Sequence, residues 1–248
     1  DLVRSRGLGD VYKRQPRYIS FFLTDTFPPV AEYLNRASFL LAQGKPAASI
    51  GLYFPTMSMW YGDNESNKSM LDITRQLMEC QHDFDFVDEQ ALTSILEIEN
   101  GGLKNLSGQS YKTIIVPSIT AISVASLNKL KEFSAAGGKV IFVGNLPSLA
   151  VQQTFKDAVS PGDLSWAFHE TDTLLTEKSM QLLPPPDIEI DKTLPQVKYL
   201  HREWEDAHLY FIFNEEKEAL SFNIAFGVKG EMQIWDCLLY TSDAADEE

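Results

Sequence analysis

Cysteine is nearly missing from this chain: its 248 residues hold two, Cys80 and Cys237. Two thiols so far apart build neither a disulfide framework nor a zinc set, and Cys80 reads as a small apolar residue on a helix. Long apolar runs are missing too, since no stretch reaches the roughly 18 residues that a membrane span needs. Basic residues are scarce, 21 Lys and Arg against 35 Asp and Glu, for a net charge of −14. An acidic chain of this kind repels phosphate backbones and anionic lipid, which excludes nucleic acid and a membrane surface as partners. Glycine signatures are absent as well. The one Gly-x-Gly, at Gly7 and Gly9, stands in a terminal segment without strand or helix pattern, and no Walker A sequence occurs.

The two ends differ from everything between them. Residues 1–15, DLVRSRGLGDVYKRQ, and residues 237–248, CLLYTSDAADEE, carry no apolar period. Both resemble translated adapter sequence and are expected to be non-native tails on a chain cut from a longer protein. Cys237 belongs to the second tail. Compartment stays open, because a leader peptide cannot be judged from such an end.

Between the tails the pattern alternates. Val30, Tyr33, Leu34, Ala37, Leu40 and Leu41 recur at helical spacing, between Pro28–Pro29 and Gly44. AASIGLYF (47–54) is an apolar strand ending at Pro55. A helix capped by Ser66 runs to Gln81, with Met70, Ile73, Leu77 and Met78 on one side, and Cys80 falls within it. FDFVD (84–88) is a second strand, followed by a short helix over 89–98. Asn100, Gly101 and Gly102 break the chain. TIIVPSI (113–119) is continuous and β-branched, as in a strand buried on both faces. Ser123 caps a helix bearing Val124, Leu127, Leu130 and Phe133, Gly137–Gly138 end it, and VIFVG (140–144) comes next.

Strands alternating with helices predict an α/β fold: a flavodoxin- or glutaminase-like, doubly wound parallel sheet over 45–168. Residues 169–196 form a proline-rich linker around Pro184–Pro185–Pro186 and Pro195. Residues 197–236 are antiparallel: VKYLHREW, HLYFIFN, a turn at 215–217, ALSFNIAF and the start of EMQIWD. Leu220, Phe222, Ile224 and Phe226 alternate with polar or small residues, the period of a half-buried strand. These strands read as the beginning of a β-sandwich.

Ligands of an open α/β sheet sit beyond the carboxyl ends of its strands. The loop there, PTMSMWYGDNESN, offers Thr56 and Ser58 to a phosphate, but Met57, Met59, Trp60 and Tyr61 are too bulky for a phosphate cradle. Trp60, Tyr61 and Asp63 suit sugar stacking with a hydroxyl acceptor, and they are the candidate substrate-binding residues. Asp83, Asp85, Asp88 and Glu89 straddle the second strand, where paired carboxylates serve acid–base chemistry or Ca²⁺. Asp83 and Asp85 alternate with Phe84 and Phe86, so they are expected on one partly solvated face. Ser118 lacks the flanking glycines of a nucleophile elbow. His82, His169, His201 and His208 are scattered and share no ligand spacing.

Taken together, YLNRASFLLAQGKPAASIGLYFPT (33–56), FDFVDEQAL (84–92), YKTIIVPSITAIS with LNKLKEFSAAGGKVIFVG (111–144), and LHREWEDAHLYFIFNE with the final WD (200–236) resemble the region after the catalytic barrel in α-L-rhamnosidase-like enzymes, glycoside hydrolase family 106. Related phrases occur in the trimerisation domain of family 42 β-galactosidases. The resemblance implies an upstream (β/α)₈ barrel, whose last helix would lie in 16–44, and β-domains downstream. It implies an ancillary segment of a bacterial hydrolase whose partner is a carbohydrate, reached through the parent enzyme. Two barrel carboxylates would do the chemistry there. No position here matches them, so no catalytic residue is assigned. No cofactor is expected, and Ca²⁺ in the parent stays open. The alternatives are a β-galactosidase-like parent and a non-enzymatic oligomerisation module.

Overall fold

The computed structural model describes residues 27–235. The expectations for the two tails, and for residues 16–26, therefore lie outside the described residues. The chain divides into two compact units: residues 1–43 with 230–248, and residues 44–229.

In the first unit the described residues form one helix, α1 (Phe27–Ala42). It takes Pro28 and Pro29 into its first turn, where a missing N–H costs no helical bond. Val30 and Leu34, from the predicted apolar face, are exposed, as is Phe39. Residues 231–235, expected to begin a strand, are irregular, with Met232, Ile234 and Trp235 exposed.

The second unit is mixed α/β, and a five-stranded parallel sheet is its centre. Its strands are β2 (Ile50–Tyr53), β3 (Phe84–Val87), β7 (Thr113–Val116), β9 (Lys139–Val143) and β11 (Phe168–Glu170), in the edge-to-edge order β11-β9-β7-β2-β3. Adjacent side chains of a strand point to opposite faces, so a sheet covered on both sides needs apolar residues at every position. Ile114, Val116, Val140 and Phe142 enter one core, under α4 (Val124–Ala135) with its Leu127, Leu130 and Phe133. Ile50, Leu52, Ile115, Ile141 and Val143 enter the other, under α3 (Asn64–Glu79) with its Met70, Ile73 and Leu77. Gly51 keeps the first face close. A Cβ there would come within 2.6 Å of Ile114 Cδ1 and 2.9 Å of Val87 Cγ2. Beside this sheet, β8 (Ala121–Ser123) and β10 (Leu149–Val151) pair in parallel on their own.

Several local expectations change. The cap of α3 is Asp63, whose Oδ1 accepts from Glu65 and Ser66 backbone N–H at 3.1 and 3.2 Å, while Ser66 is buried inside the first turn. Cys80 is the C-cap of that helix, not an interior residue, and is exposed. The helix expected over 89–98 is one π-helical turn, Ala91–Ile95. Asn100 and Gly101, both at positive φ, make the tight turn of a hairpin between β4 (Glu97–Glu99) and β5 (Gly102–Lys104), which β6 (Ser110–Tyr111) extends. Ser123 caps α4 as expected, accepting from Ser126 N–H at 3.0 Å, and Gly137 leaves it at φ +99°.

The stretch 169–196 begins with the last two residues of β11, holds two further short elements, α5 (Glu177–Met180) and β12 (Ile188–Ile190), and sends Leu175 and Leu183 into the second core. β13 (Val197–Glu203) and β14 (His208–Asn214) form an antiparallel hairpin, whose edge is extended by β1 (Lys45–Pro46). Lys45 and Glu203 close that edge with an ion pair of 2.8 Å. In 220–226 the alternation of burial is observed, but only β15 (Ile224–Phe226) is paired, to β12. Leu52 is wholly buried in the second core. Leu52→Ala is expected to cost about 2–5 kcal/mol, read as a lowered urea midpoint at unchanged slope.

Candidate functional site

The chain leaves β2 toward β3 on one side and reaches β7 on the other, so the ligand crevice of such a sheet would open between the carboxyl ends of β2 and β7. Here that crevice is closed. The short helix α2 (Thr56–Trp60) comes directly after β2, and its Ser58 is fully buried. Ser58 Oγ donates to Ala121 O at 2.9 Å and accepts from the backbone N–H groups of Thr120 and Ala121 at 3.0 and 2.9 Å. This one hydroxyl pins the loop after β2 to the loop after β7. Asp63 adds a second tie, because its Oδ2 accepts from Thr120 Oγ1 at 2.7 Å. Ser118, just past the end of β7, donates its N–H to Ser69 Oγ (3.0 Å), and its own Oγ accepts from the N–H of Asn145 (3.2 Å). Thr56 and Ser58 thus belong to a closed turn and offer no open phosphate cradle.

Trp60 and Tyr61 stand on top of this closure, 75% and 51% exposed. The Tyr61 ring meets Phe155, a residue that the sequence did not single out, with centroids 5.4 Å apart at 41°. Phe155 is itself 38% exposed. Asp63 shares the segment, but its carboxylate already receives three hydrogen bonds. Of about four acceptor sites on a carboxylate, one is left for an outside hydroxyl.

The acidic cluster does not stay together. At 3.3 Å per residue of strand, Asp88 lies about 16 Å from Asp83 and about 10 Å from Asp85, which separates that pair from Asp88 and Glu89. Asp88 Oδ1 accepts from the N–H of Ala91 at 2.6 Å. Asp85 Oδ2 accepts from Gln109 Nε2 (2.5 Å) and from the Tyr111 hydroxyl (3.1 Å). Asp83 is the perturbed member: burial, with Asp85 next in weight, pushes its carboxyl up to about 6. No three His, Cys, Asp or Glu side chains gather around a metal-sized point among the described residues.

Two of the four histidines do meet. His201 is 3% exposed, with Nδ1 at 2.9 Å from Asp187 Oδ2 and Nε2 at 2.9 Å from His208 Nδ1. Tyr210 stacks on the His201 ring at 4.0 Å and 15°. Spacing along the chain hides this pair, because it arises from the β13–β14 register, in which Glu203 faces His208. His82 is half-buried, and desolvation lowers its pKa. His169 Nε2 sits 2.7 Å from Gly144 O, apart from the other three.

The sequence profile of glycoside hydrolase family 106, described as alpha-L-rhamnosidase, matches residues 8–244. A protein of Formosa agariphila named "Putative beta-glucuronidase" is 25% identical over 211 residues, covering 82% of this chain and 17% of that protein. The solved rhamnosidase from Novosphingobium sp. PP1Y shares the fold at a TM-score of 0.56 and 23% identity, over 82% of this chain and 20% of the other. A β-galactosidase from G. stearothermophilus reaches a TM-score of only 0.47 at 14% identity, over 79% of this chain and 39% of the other. The chain spans about a fifth of the length of the first two relatives.

Removing the Ser58 hydroxyl leaves two backbone N–H groups and one carbonyl short of a partner. Each buried group so orphaned costs about 1–3 kcal/mol. Ser58→Ala is therefore expected to lower the thermal midpoint and to raise amide exchange at Thr120 and Ala121, while Ser69→Ala, at a half-buried position, has the smaller effect.

Proposed function

This chain belongs to glycoside hydrolase family 106, the alpha-L-rhamnosidase family, and on that premise we propose that it is a non-catalytic segment of a longer enzyme that hydrolyses glycans. The observation that carries the reading is the closed strand end. A catalytic α/β sheet presents reactive groups in the crevice between its diverging strands, and here Ser58, Thr120 and Ala121 fill that crevice with hydrogen bonds to one another. The architecture is taken as a flavodoxin-like doubly wound domain, followed by the first strands of a β-sandwich. The carboxylates that cleave the glycosidic bond are assigned to a barrel elsewhere in the longer protein, and the sugar removed is assigned to the rhamnose class.

Trp60 and Tyr61, extended by Phe155, are proposed as the contact with the glycan. Ring faces of this kind stack on the C–H face of a pyranose. The ties through Ser58 and Asp63 hold the segment in place before any ligand arrives, which lowers the entropy cost of binding. Asp63 contributes mainly by fixing the loop, with one acceptor site left for a sugar hydroxyl.

The chain alone is expected to release nothing from an aryl α-L-rhamnoside above the buffer rate, and turnover that co-purifies with it would overturn the non-catalytic assignment. In a long hydrolase carrying this segment, Trp60→Ala is expected to raise KM about tenfold with kcat kept, equivalent to about 1.4 kcal/mol of lost binding. An unchanged KM would make Trp60 a packing residue.

A further inference from the structure

At the amino ends of the parallel strands, opposite the aromatic group, four pieces of the second unit converge on one polar centre. β3 is entered through His82 and Asp83, and Asp85 lies within it. The segment before β12 brings Asp187, β13 brings Tyr199, His201 and Glu203, and β14 brings His208 and Tyr210. His82, Asp83, Asp187 and Tyr199 line a shallow cleft together with Ser49 and Pro185. Across this seam the Ala47 N–H donates to His201 O at 3.1 Å, and Gln81 Nε2 donates to Leu194 O and Val197 O, both at 3.2 Å. The His201 N–H favours an ionised Asp83 and only partly offsets the effect of burial. Hairpin and sheet are therefore joined through this centre.

The hydrogen bonds fix the tautomers. An ionised carboxylate only accepts, so His201 gives its Nδ1 proton to Asp187. A neutral His201 then has a bare Nε2, and His208 must carry its proton on Nδ1 to donate to it. The chain Asp187–His201–His208 is thus ordered but adds no positive charge while both rings are neutral. Asp83 stays among like charges, with Asp85 beside it and Asp187 across the cleft. Lys45 is committed to Glu203. His82 is no remedy, because its burial disfavours the charged ring. Tyr199 keeps its proton, held far above the ordinary range by burial and by Asp83 and Asp187. Tyr210 is pushed up to about 12 by burial and by Asp187.

We propose that this centre is an acid-tightened clasp: protonation of Asp83 locks the β13–β14 hairpin and the segment around Asp187 onto the amino ends of the parallel sheet, and its ionisation loosens them. Linkage sets the direction. Asp83 in the folded chain holds its proton up to about 6, above the ordinary aspartate range. Stability from this group is complete at low pH and is lost as pH rises through about 6.

Hydrogen exchange on the full chain tests the clasp. After correction for the intrinsic pH dependence of exchange, hairpin amides (197–214) are expected to lose about tenfold protection relative to those of α4 between pH 5 and pH 7.5, as for a group whose pKa moves by one unit or more. Asp83→Asn, neutral at every pH, is expected to keep at pH 7.5 most of the protection that the natural chain has at pH 5. Equal relative protection at both pH values, or an undiminished pH dependence in Asp83→Asn, overturns the proposal. If that variant fails to fold, NMR of the natural chain decides. Hairpin amide shifts that track the Asp83 carboxyl titration support the clasp, and shifts that ignore it, or a His208 protonated at Nε2 at pH 7.5, defeat it.

Discussion

A parallel sheet covered by helices on both faces leaves none of its central side chains in water, and that constraint organises the second unit. All four residues of β7 are buried, and so are the four of β2 and four of the five of β9. Consecutive residues serve opposite cores, so neither core can be built without the other. The helices then have one task each: α3 closes the Leu52 side and α4 the Phe133 side. The chain beyond β9 is recruited to the same end, since Leu175 and Leu183 complete the second core from a stretch with hardly any regular structure.

The two ends of the strands are used differently. At the carboxyl ends, hydroxyl and backbone groups and the single carboxylate of Asp63 satisfy one another and shut the crevice, with aromatic rings left outside. At the amino ends, carboxylates, histidines and tyrosines are drawn together where hairpin meets sheet. Hydrogen bonds from neutral donors favour the ionised form of a carboxylate, while a second carboxylate packed beside it disfavours that form. The carboxylates that crowd one another are therefore remote from the aromatic surface, and family membership alone does not point to them.

The sequence made the central strands legible because two-sided burial writes them as unbroken apolar runs, as in Thr113–Val116. It made α4 legible through Ser123 and Gly137. Residues 208–214 were readable as a strand for their aromatic and β-branched content. Short elements left no period: β11 has three residues and takes its place only because β9 offers an edge. The hairpin at Asn100–Gly101 had a recognised turn signal, but its strands, Glu97–Glu99 and Gly102–Lys104, carry too little apolar character to announce themselves. Capping was displaced from Ser66 to Asp63, since both residue types cap well and the choice depends on where the turn before them closes. The aromatic pair was visible as adjacent residues, but Phe155 joined it from 94 positions away. The histidine pair needed the strand register, which spacing alone does not provide.

The edge strand β1 bears on how this chain comes to be folded. Gly44 and Arg202, 158 positions apart, are joined at that edge, and Lys45 pairs with Glu203 beside them. Closing so long a loop is entropically slow, although each further doubling of its length adds only about 0.6 kcal/mol. During synthesis the residues at Lys45 wait until nearly the whole unit has left the ribosome, at about 5–20 residues per second. The parallel sheet can gather before then, but its amino-end seam is sewn last, so a chain stalled short of residue 203 carries a core without its fastening.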